Sequence, residues 1–409
     1  MTTTATAGNE VIKKARGCRI PELDGLRVIM IFIVSWYHIW QQSWLEPAFD
    51  LAGTHISLDF LVRTGYVWVD GTVLLSAFLL YLPLARKNRE PLPDVKEFYL
   101  RKAKRILPGY WFIILLFFLG MCLPWQLYNG DGPFMVKDLF THWTLIFPYF
   151  RDTYIYTPLG AASWTLSLVA QAYLLFPLMA RGMHRYPGRT IGLLAGSSFA
   201  FRAWCLWGLK DYSMVVNTLA NFLDVYAAGF GGAMFYAWLE KKAGERQADR
   251  TTRIVRQLSA TLIFAGCLIG VCELLKVQGR YTDHAALQAH QQIFRPVFAA
   301  GFLGMMLSAP FSVRPLRFLL GNKVTAFLSA ISMNYYLTHQ TIAVHLRRIG
   351  FPASVSESPN MAREQPWQTN YTLTAFGISL AMAVLITYLV EKPAGRLIDH
   401  WNAKKNGAS

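Results

Sequence analysis

Apolar runs long enough to cross a bilayer recur along this sequence, and they fix the fold class before any motif is read. Segments 28–44, 110–124, 254–275 and 373–390 are each long enough, or nearly so, to traverse ~30 Å of hydrocarbon. Hydrophobic residues make up 54% of the 409-residue chain and charged residues 16%, with the charges gathered between the runs. A soluble core cannot absorb so many such segments. Lipid offers the backbone no hydrogen-bond partners, so spanning runs satisfy their own N–H and C=O groups as helices. The expected fold is all-α: a polytopic membrane protein, a bundle of about ten transmembrane helices. The spans fall near 28–44, 62–84, 110–125, 164–180, 190–208, 220–239, 254–275, 294–312, 324–345 and 370–390.

The net charge of +16 raises the question of a nucleic-acid partner, and its distribution argues against one. One alternate set of loops holds most of the 40 Lys and Arg, among them Lys13, Lys14, Arg86, Arg101, Lys102, Lys104, Arg105, Lys241 and Lys404. Basic loops stay on the cytoplasmic side, so both termini are expected there, in a multi-pass protein of the cell membrane. Attraction to anionic lipid accounts for the rest of the excess, and no nucleic acid is implied. The five cysteines lie in or beside spans and have neither disulfide nor CxxC metal spacing. The expected division is a cytoplasmic tail over 1–20, a transmembrane domain over 21–397 and a second cytoplasmic tail over 398–409.

Ionisable groups inside spans are costly and are therefore functional candidates. His38 stands eleven residues after Arg27, which on a helix is three turns plus about 20°, so both share one face ~16 Å apart. A guanidinium at the cytoplasmic boundary and an imidazole near mid-membrane suit an anionic cofactor whose reactive end points inward. A neutral histidine can take the proton of an attacking hydroxyl; a histidine bonded to a neighbouring helix explains His38 equally well. Asp70, Arg202 and Asp224 also fall within spans, and Arg202 with either aspartate makes a structural ion pair. His339 fits either a helix-bridging or an acceptor-binding role. Before the third span, FYLRKAKRILPGYW (98–111) carries Arg101, Lys102, Lys104 and Arg105. It serves either topology and lipid headgroups or a clamp for the phosphates of a nucleotide-like donor, a role for which arginine is well suited. No His, Cys or Asp cluster has metal-ligand spacing, so no metal is expected.

Six motifs in order resemble the acyltransferase-3 family of membrane-bound O-acyltransferases. They are PELDGLRVIMIFIVSWYH (21–38), WVDGTVLLSAFLL (68–80), the basic stretch above, WTLSLVAQAYLLFP (164–177), ISMNYYLTHQ (331–340) and LVEKP (389–393). Three departures stand out: Ser76-Ala77-Phe78 replaces an SGF tripeptide, Lys102 replaces an arginine, and Val169 and Ala170 stand where fuller motifs carry acidic residues. The resemblance implies transfer of an acyl group from cytoplasmic acyl-CoA, with acetyl-CoA the expected donor. The acceptor is a hydroxyl of a cell-envelope glycan, lipid or small molecule. It further implies His38, Arg27 and Glu391 as the catalytic set, Lys102, Arg105 and Arg101 as donor-binding residues, and acceptor contacts at Asp70, Ser76, His339 and Gln340. His38 is expected as the general base on the acceptor hydroxyl, or else as a transient acyl carrier, reached by a cavity from the cytoplasmic side, with a second opening outward. A non-catalytic exporter of polysaccharide or lipid is the alternative use of such a bundle; the missing carboxylates at 169 and 170 favour it, and the Arg27–His38 spacing opposes it.

Overall fold

The computed structural model describes residues 19–87, 92, 94–245 and 249–398. The two terminal tails, with Lys13, Lys14, Cys18 and Lys404, lie outside these residues. Ten long helices dominate: α1 (Pro21–Ser43), α2 (Trp68–Arg86), α3 (Val95–Phe117), α4 (Trp164–Arg185), α5 (Pro187–Gly208), α6 (Leu223–Glu245), α7 (Arg250–Gln278), α8 (His284–Ser308), α9 (Lys323–Arg348) and α10 (Trp367–Leu385). The one sheet among the described residues is a hairpin, β1 (Ala48–Leu51) with β2 (Thr54–Ser57), after α1. Its two-residue turn, Ala52-Gly53, has positive φ at both positions, the conformation a tight hairpin demands.

Several helix starts are written locally. Asp94, Asp249 and Asp283 each accept an N–H from the first turn that follows, and Asn322 closes a capping box with Thr325. These caps satisfy amides that lipid and protein would leave unpaired. Both α3 and α10 end in a π-helical turn, Phe118–Cys122 and Ile386–Glu391.

Seven of the ten helices, α1 to α4, α7, α8 and α10, are long and apolar enough to cross a membrane. The chain is a membrane protein on that ground. The other three, α5, α6 and α9, have the length but fall short in apolar composition, so the ten expected spans are met as ten long helices, of which seven qualify. The cause lies in what the three bury: Arg202 on α5, Asp224 on α6, Asn334 and His339 on α9 are polar groups turned into the bundle.

In the bundle α1 packs against α2, α9 and α10; α2 packs against α6 and α8; α5 pairs with α6 and α7 with α8. Small residues set the closest approaches. A Cβ on Gly229 of α6 would lie 2.6 Å from Ala77 Cβ of α2, and one on Gly25 of α1 would lie 2.2 Å from the Leu320 carbonyl oxygen. Midway along α1 the seam with α9 is packed solid. Val34 and Ser35 are buried, Ser35 Oγ and Tyr335 Oη share a 2.7 Å hydrogen bond, and the Phe32 and Tyr335 rings stack at 4.7 Å. Arg27, Lys102, Arg105 and Glu391 come together in one region of the bundle, here called the basic end.

Candidate functional site

At the far end, the C-terminal half of α1 forms one wall of a cavity of about 650 Å³. Tyr37, His38 and Trp40 line it from α1, Tyr66 from the turn before α2, Asp70 from the start of α2, Trp164 from α4 and Gln340 from α9. The remaining walls come from the loops around Tyr154, Asn217 and Tyr281. The cavity therefore reaches His38 from the end opposite Arg27, the side of the outward opening expected from the sequence. The Phe32–Ser35–Tyr335 contacts close the α1–α9 seam between the two residues.

His38 is held in one tautomer by its neighbours. Gln41 Nε2 donates to Tyr37 Oη at 3.0 Å, which turns Gln41 Oε1 toward His38 Nδ1, also at 3.0 Å. An amide oxygen can only accept, so Nδ1 carries the hydrogen and Nε2 keeps its lone pair. Behind it lies His339, fully buried, with ring centroids 5.2 Å apart. His339 Nδ1 donates to the Tyr336 carbonyl at 2.7 Å, and its Nε2 has no hydrogen-bond partner among the described residues. Two imidazoles thus stand side by side, each with its Nδ1 hydrogen committed and its Nε2 available.

Asp70 is buried and pairs with Arg295 of α8 at 3.1 Å. Arg295 also donates to the Val216 and Asn221 carbonyls and stacks on Phe222, its guanidinium carbon 3.9 Å from the ring centre. Arg202 takes Asp224 instead, at 2.5 Å, and binds both the side chain and the carbonyl of Asn221. The expected structural pair of Arg202 is therefore with Asp224, and Asp70 has a partner the sequence analysis did not name. Arg295 had left a signal, a lone charge at the edge of the apolar run 294–312. Gln340 lines the cavity and accepts the Ala162 N–H at 2.7 Å. Ser76 sits six residues further along α2, away from the residues that line the cavity. Burial lifts the Tyr154 phenol to about 12, opposed by its hydrogen bond from Asn217, so it stays neutral at any ordinary pH.

At the basic end, Arg27 Nη1 reaches Ser329 Oγ at 3.4 Å, and Ser329 donates to Asp24 at 2.9 Å. Arg105 of α3 is near enough to Arg27 and to Glu391 for their charges to interact. Lys102 rests on the ring of Tyr173 of α4, its Nζ 4.5 Å from the centroid. Arg101 points elsewhere, exposed and paired with Glu97 at 3.3 Å. The structure thus gathers Arg27, Lys102, Arg105 and Glu391, with Arg101 at the exposed margin beside Lys102. Glu391 is placed by the π turn that ends α10 and accepts from Asn334 Nδ2 at 2.6 Å, while the same nitrogen reaches Thr387 Oγ1 at 2.8 Å. Asn334 was missed in the sequence, although it lies inside the ISMNYYLTHQ motif. Gly109 of α3 allows the approach, since a Cβ there would lie 3.2 Å from Asn334 Oδ1. Among the described residues no group of three His, Cys, Asp or Glu could hold a metal ion.

A family model for an acyltransferase domain matches residues 20–392. A Staphylococcus aureus (strain COL) protein named as a candidate O-acetyltransferase is 28% identical over 185 residues, covering 42% of this chain and 26% of that relative. The chain accordingly spans about a quarter of that relative's length. No solved structure matches the chain. The family match runs from the residue before α1 to the residue after Glu391 and takes in every candidate site residue, and the chain therefore belongs to the acyltransferase-3 family.

Proposed function

We propose that the protein transfers an acyl group, acetyl in the first instance, from acyl-CoA on the cytoplasmic side to a hydroxyl presented in the far-end cavity. In this arrangement the basic end faces the cytoplasm, both termini lie there, and residues 21–397 form the transmembrane acyltransferase domain in the cell membrane. The observation that carries the proposal is His38: it lines the cavity, its Nδ1 is tied to Gln41, and its Nε2 lone pair is left for an incoming hydroxyl.

Lys102, Arg105 and Arg27 would hold the phosphates of the donor, three cations gathered where Glu391 and Asp24 balance only part of their charge. Glu391, fixed by Asn334, orients Arg105. The hydroxyl oxygen of the acceptor attacks the thioester carbonyl carbon as His38 Nε2 takes its proton. The carbon–sulfur bond then breaks, and the departing thiolate receives that proton from His38. His339 backs the His38 ring on the side away from the cavity.

The lining of the cavity suits a carbohydrate among the acceptor classes considered, which include an envelope glycan, a lipid or a small molecule. Trp40, Trp164 and Tyr281 offer flat faces to sugar rings, and Gln340, Gln288 and Asn217 offer amides to their hydroxyls. Asp70 supplies the acidic contact. The shared face of Arg27 and His38 on α1 weighs against the exporter alternative, which has no use for a base at that depth.

The test is transfer by purified protein in nanodiscs. His38→Gln replaces the hydrogen-bonding groups but cannot accept a proton at neutral pH, and it should lose about 10²–10⁴ of kcat with fold and CoA binding intact. Transfer by that variant within a few-fold of wild type would remove the general-base role. Exchanging both Lys102 and Arg105 for Gln should weaken acyl-CoA binding by about 1.5–3 kcal/mol for each charge-assisted bond lost. Equal protection of that double variant by CoA against heat would leave the two residues to topology alone.

A further inference from the structure

The cavity wall beside His38 holds a hydroxyl whose hydrogen has nowhere to go. Tyr66 stands just before α2, and its ring meets Tyr37 edge-on with centroids 5.2 Å apart; the Tyr37 ring lies 5.0 Å from His38 in turn. All three line the same cavity. Gln278, the last residue of α7, donates from Nε2 to Tyr66 Oη at 2.6 Å.

The direction of that bond is fixed by atoms outside it. The same Nε2 also reaches the Leu287 carbonyl oxygen at 3.1 Å. A carbonyl can only accept, so the amide nitrogen, not the amide oxygen, faces both Leu287 and Tyr66. The amide oxygen is taken by Nδ1 of His290. Gln278 is fully buried, so its amide cannot turn over without setting its oxygen against the Leu287 carbonyl oxygen. The Tyr66 oxygen is therefore an acceptor in this bond and keeps its own O–H as a donor.

Among the described residues none takes that hydrogen. Asp70, four residues on and lining the same cavity, holds Arg295 with Oδ2, and its Oδ1 has no hydrogen-bond partner among the described residues. Phenol donors beside a base are suited to a reaction in which negative charge appears on an oxygen. Fixed donors aimed at such an oxygen stabilise the transition state without reorganising.

We propose that Tyr66 is the oxyanion donor of the transfer step, and that Gln278 is a positioning residue that holds its hydroxyl in donor mode. The proposal rests on the acyl-transfer function proposed above. As the acceptor oxygen bonds to the thioester carbonyl carbon, the π pair moves onto the carbonyl oxygen and Tyr66 Oη–H donates to it. When the carbon–sulfur bond breaks, the double bond re-forms and the hydrogen bond weakens. Tyr66 keeps its proton throughout, and His38 carries the one that moves.

The experiment measures thiol release and ester formation by the full-length chain in nanodiscs, with acetyl-CoA as donor and N-acetylglucosamine as the probe acceptor. Tyr66→Phe keeps the ring and removes only the hydroxyl. It should lower kcat by about 10²–10³ while leaving KM for acetyl-CoA and the Tm within a few-fold and a few degrees of wild type. Gln278→Leu should lower kcat less, and adding it to Tyr66→Phe should cost nothing further, because the hydroxyl it positions is already gone. A Tyr66→Phe loss that comes with a matching fall in Tm and in acetyl-CoA affinity marks a structural residue and overturns the proposal. Full activity in Tyr66→Phe alongside a dead His38→Gln also overturns it and leaves the acyl-transfer function standing. Full activity in both variants removes the two together.

Discussion

His38 gains its chemistry from a residue three positions away. Gln41 faces it one turn on, a spacing at which helical side chains meet, and it fixes which ring nitrogen carries the hydrogen. Removing it as Gln41→Leu should cost roughly fivefold in kcat, the rate equivalent of about 1 kcal/mol of lost hydrogen bond, well short of the His38→Gln loss. A steady-state comparison of the two variants checks that order. Asp70 carries a sharper expectation. Asp70→Leu leaves Arg295 buried without its counter-charge and should destabilise the fold by about 3–5 kcal/mol. Adding Arg295→Met should restore much of the thermal stability while leaving the acceptor site without its carboxylate, which separates the two duties of Asp70 in one melting experiment. The Arg27–His38 relation was open to view in the sequence because both lie on one uninterrupted helix, where spacing alone decides the face. Arg295, Asn334 and Gln278 were not, since each meets its partner across helices between 53 and 225 residues apart in sequence, or through an amide orientation that no local pattern records.

Among the elements, the spans were legible where a helix meets lipid and less so where it meets protein. α7 and α10 hold the most apolar windows and announced themselves; α9 buries Ser332, Asn334 and His339 among its apolar residues, and it qualifies by length alone. The π turns that end α3 and α10 left no trace in the sequence, because no residue type demands them, yet one of them sets Glu391. Close approach is written in glycine. Gly25→Ala would drive a Cβ to 2.2 Å from the Leu320 carbonyl oxygen, a backbone atom with little room to yield. Overpacking of this kind costs typically ~1–3 kcal/mol, so a clear drop in Tm and in detergent-extracted yield is expected. The loop between α5 and α6 is pinned at the cavity mouth by Asp211, which accepts from the Ser213 hydroxyl and N–H and from Arg151. Those bonds, Ser213 first, hold the Asp211 carboxyl down at about 2. A depressed carboxyl stabilises fully above its unfolded value of about 3.9 and loses that contribution as pH falls through the folded value. Hydrogen-exchange protection in residues 211–217, taken relative to the intrinsic rate at each pH, should therefore be constant from pH 7 to about 4 and fall only below it, whereas Asp211→Asn should show the lower protection at every pH.

At the scale of the whole molecule the proposed orientation makes two ends unequal. Cysteines placed at Asn129 and Glu357, both exposed at the far end, should react with an impermeant reagent added outside cells, and a reporter fused after residue 409 should be active only in the cytoplasm. Labelling from the inside alone would reverse the membrane sidedness and move the donor site with it.

His38, with one ring nitrogen tied to Gln41 and the other free, then acquires an electrical meaning. In the proposed reaction the acyl group passes outward to the acceptor, and the hydrogen of the acceptor hydroxyl returns by way of His38 on the CoA thiol. Thioester, hydroxyl, ester and thiol are all neutral at the reacting atoms, so the exchange moves no net charge. One elementary charge carried through the full field would be worth about 2.3 kcal/mol per 100 mV, and this chemistry forgoes it. In vesicles polarised by a potassium gradient, acyl transfer should run at the same rate whichever side is made negative. A protein of this design modifies an outer acceptor without drawing on the energised state of the membrane.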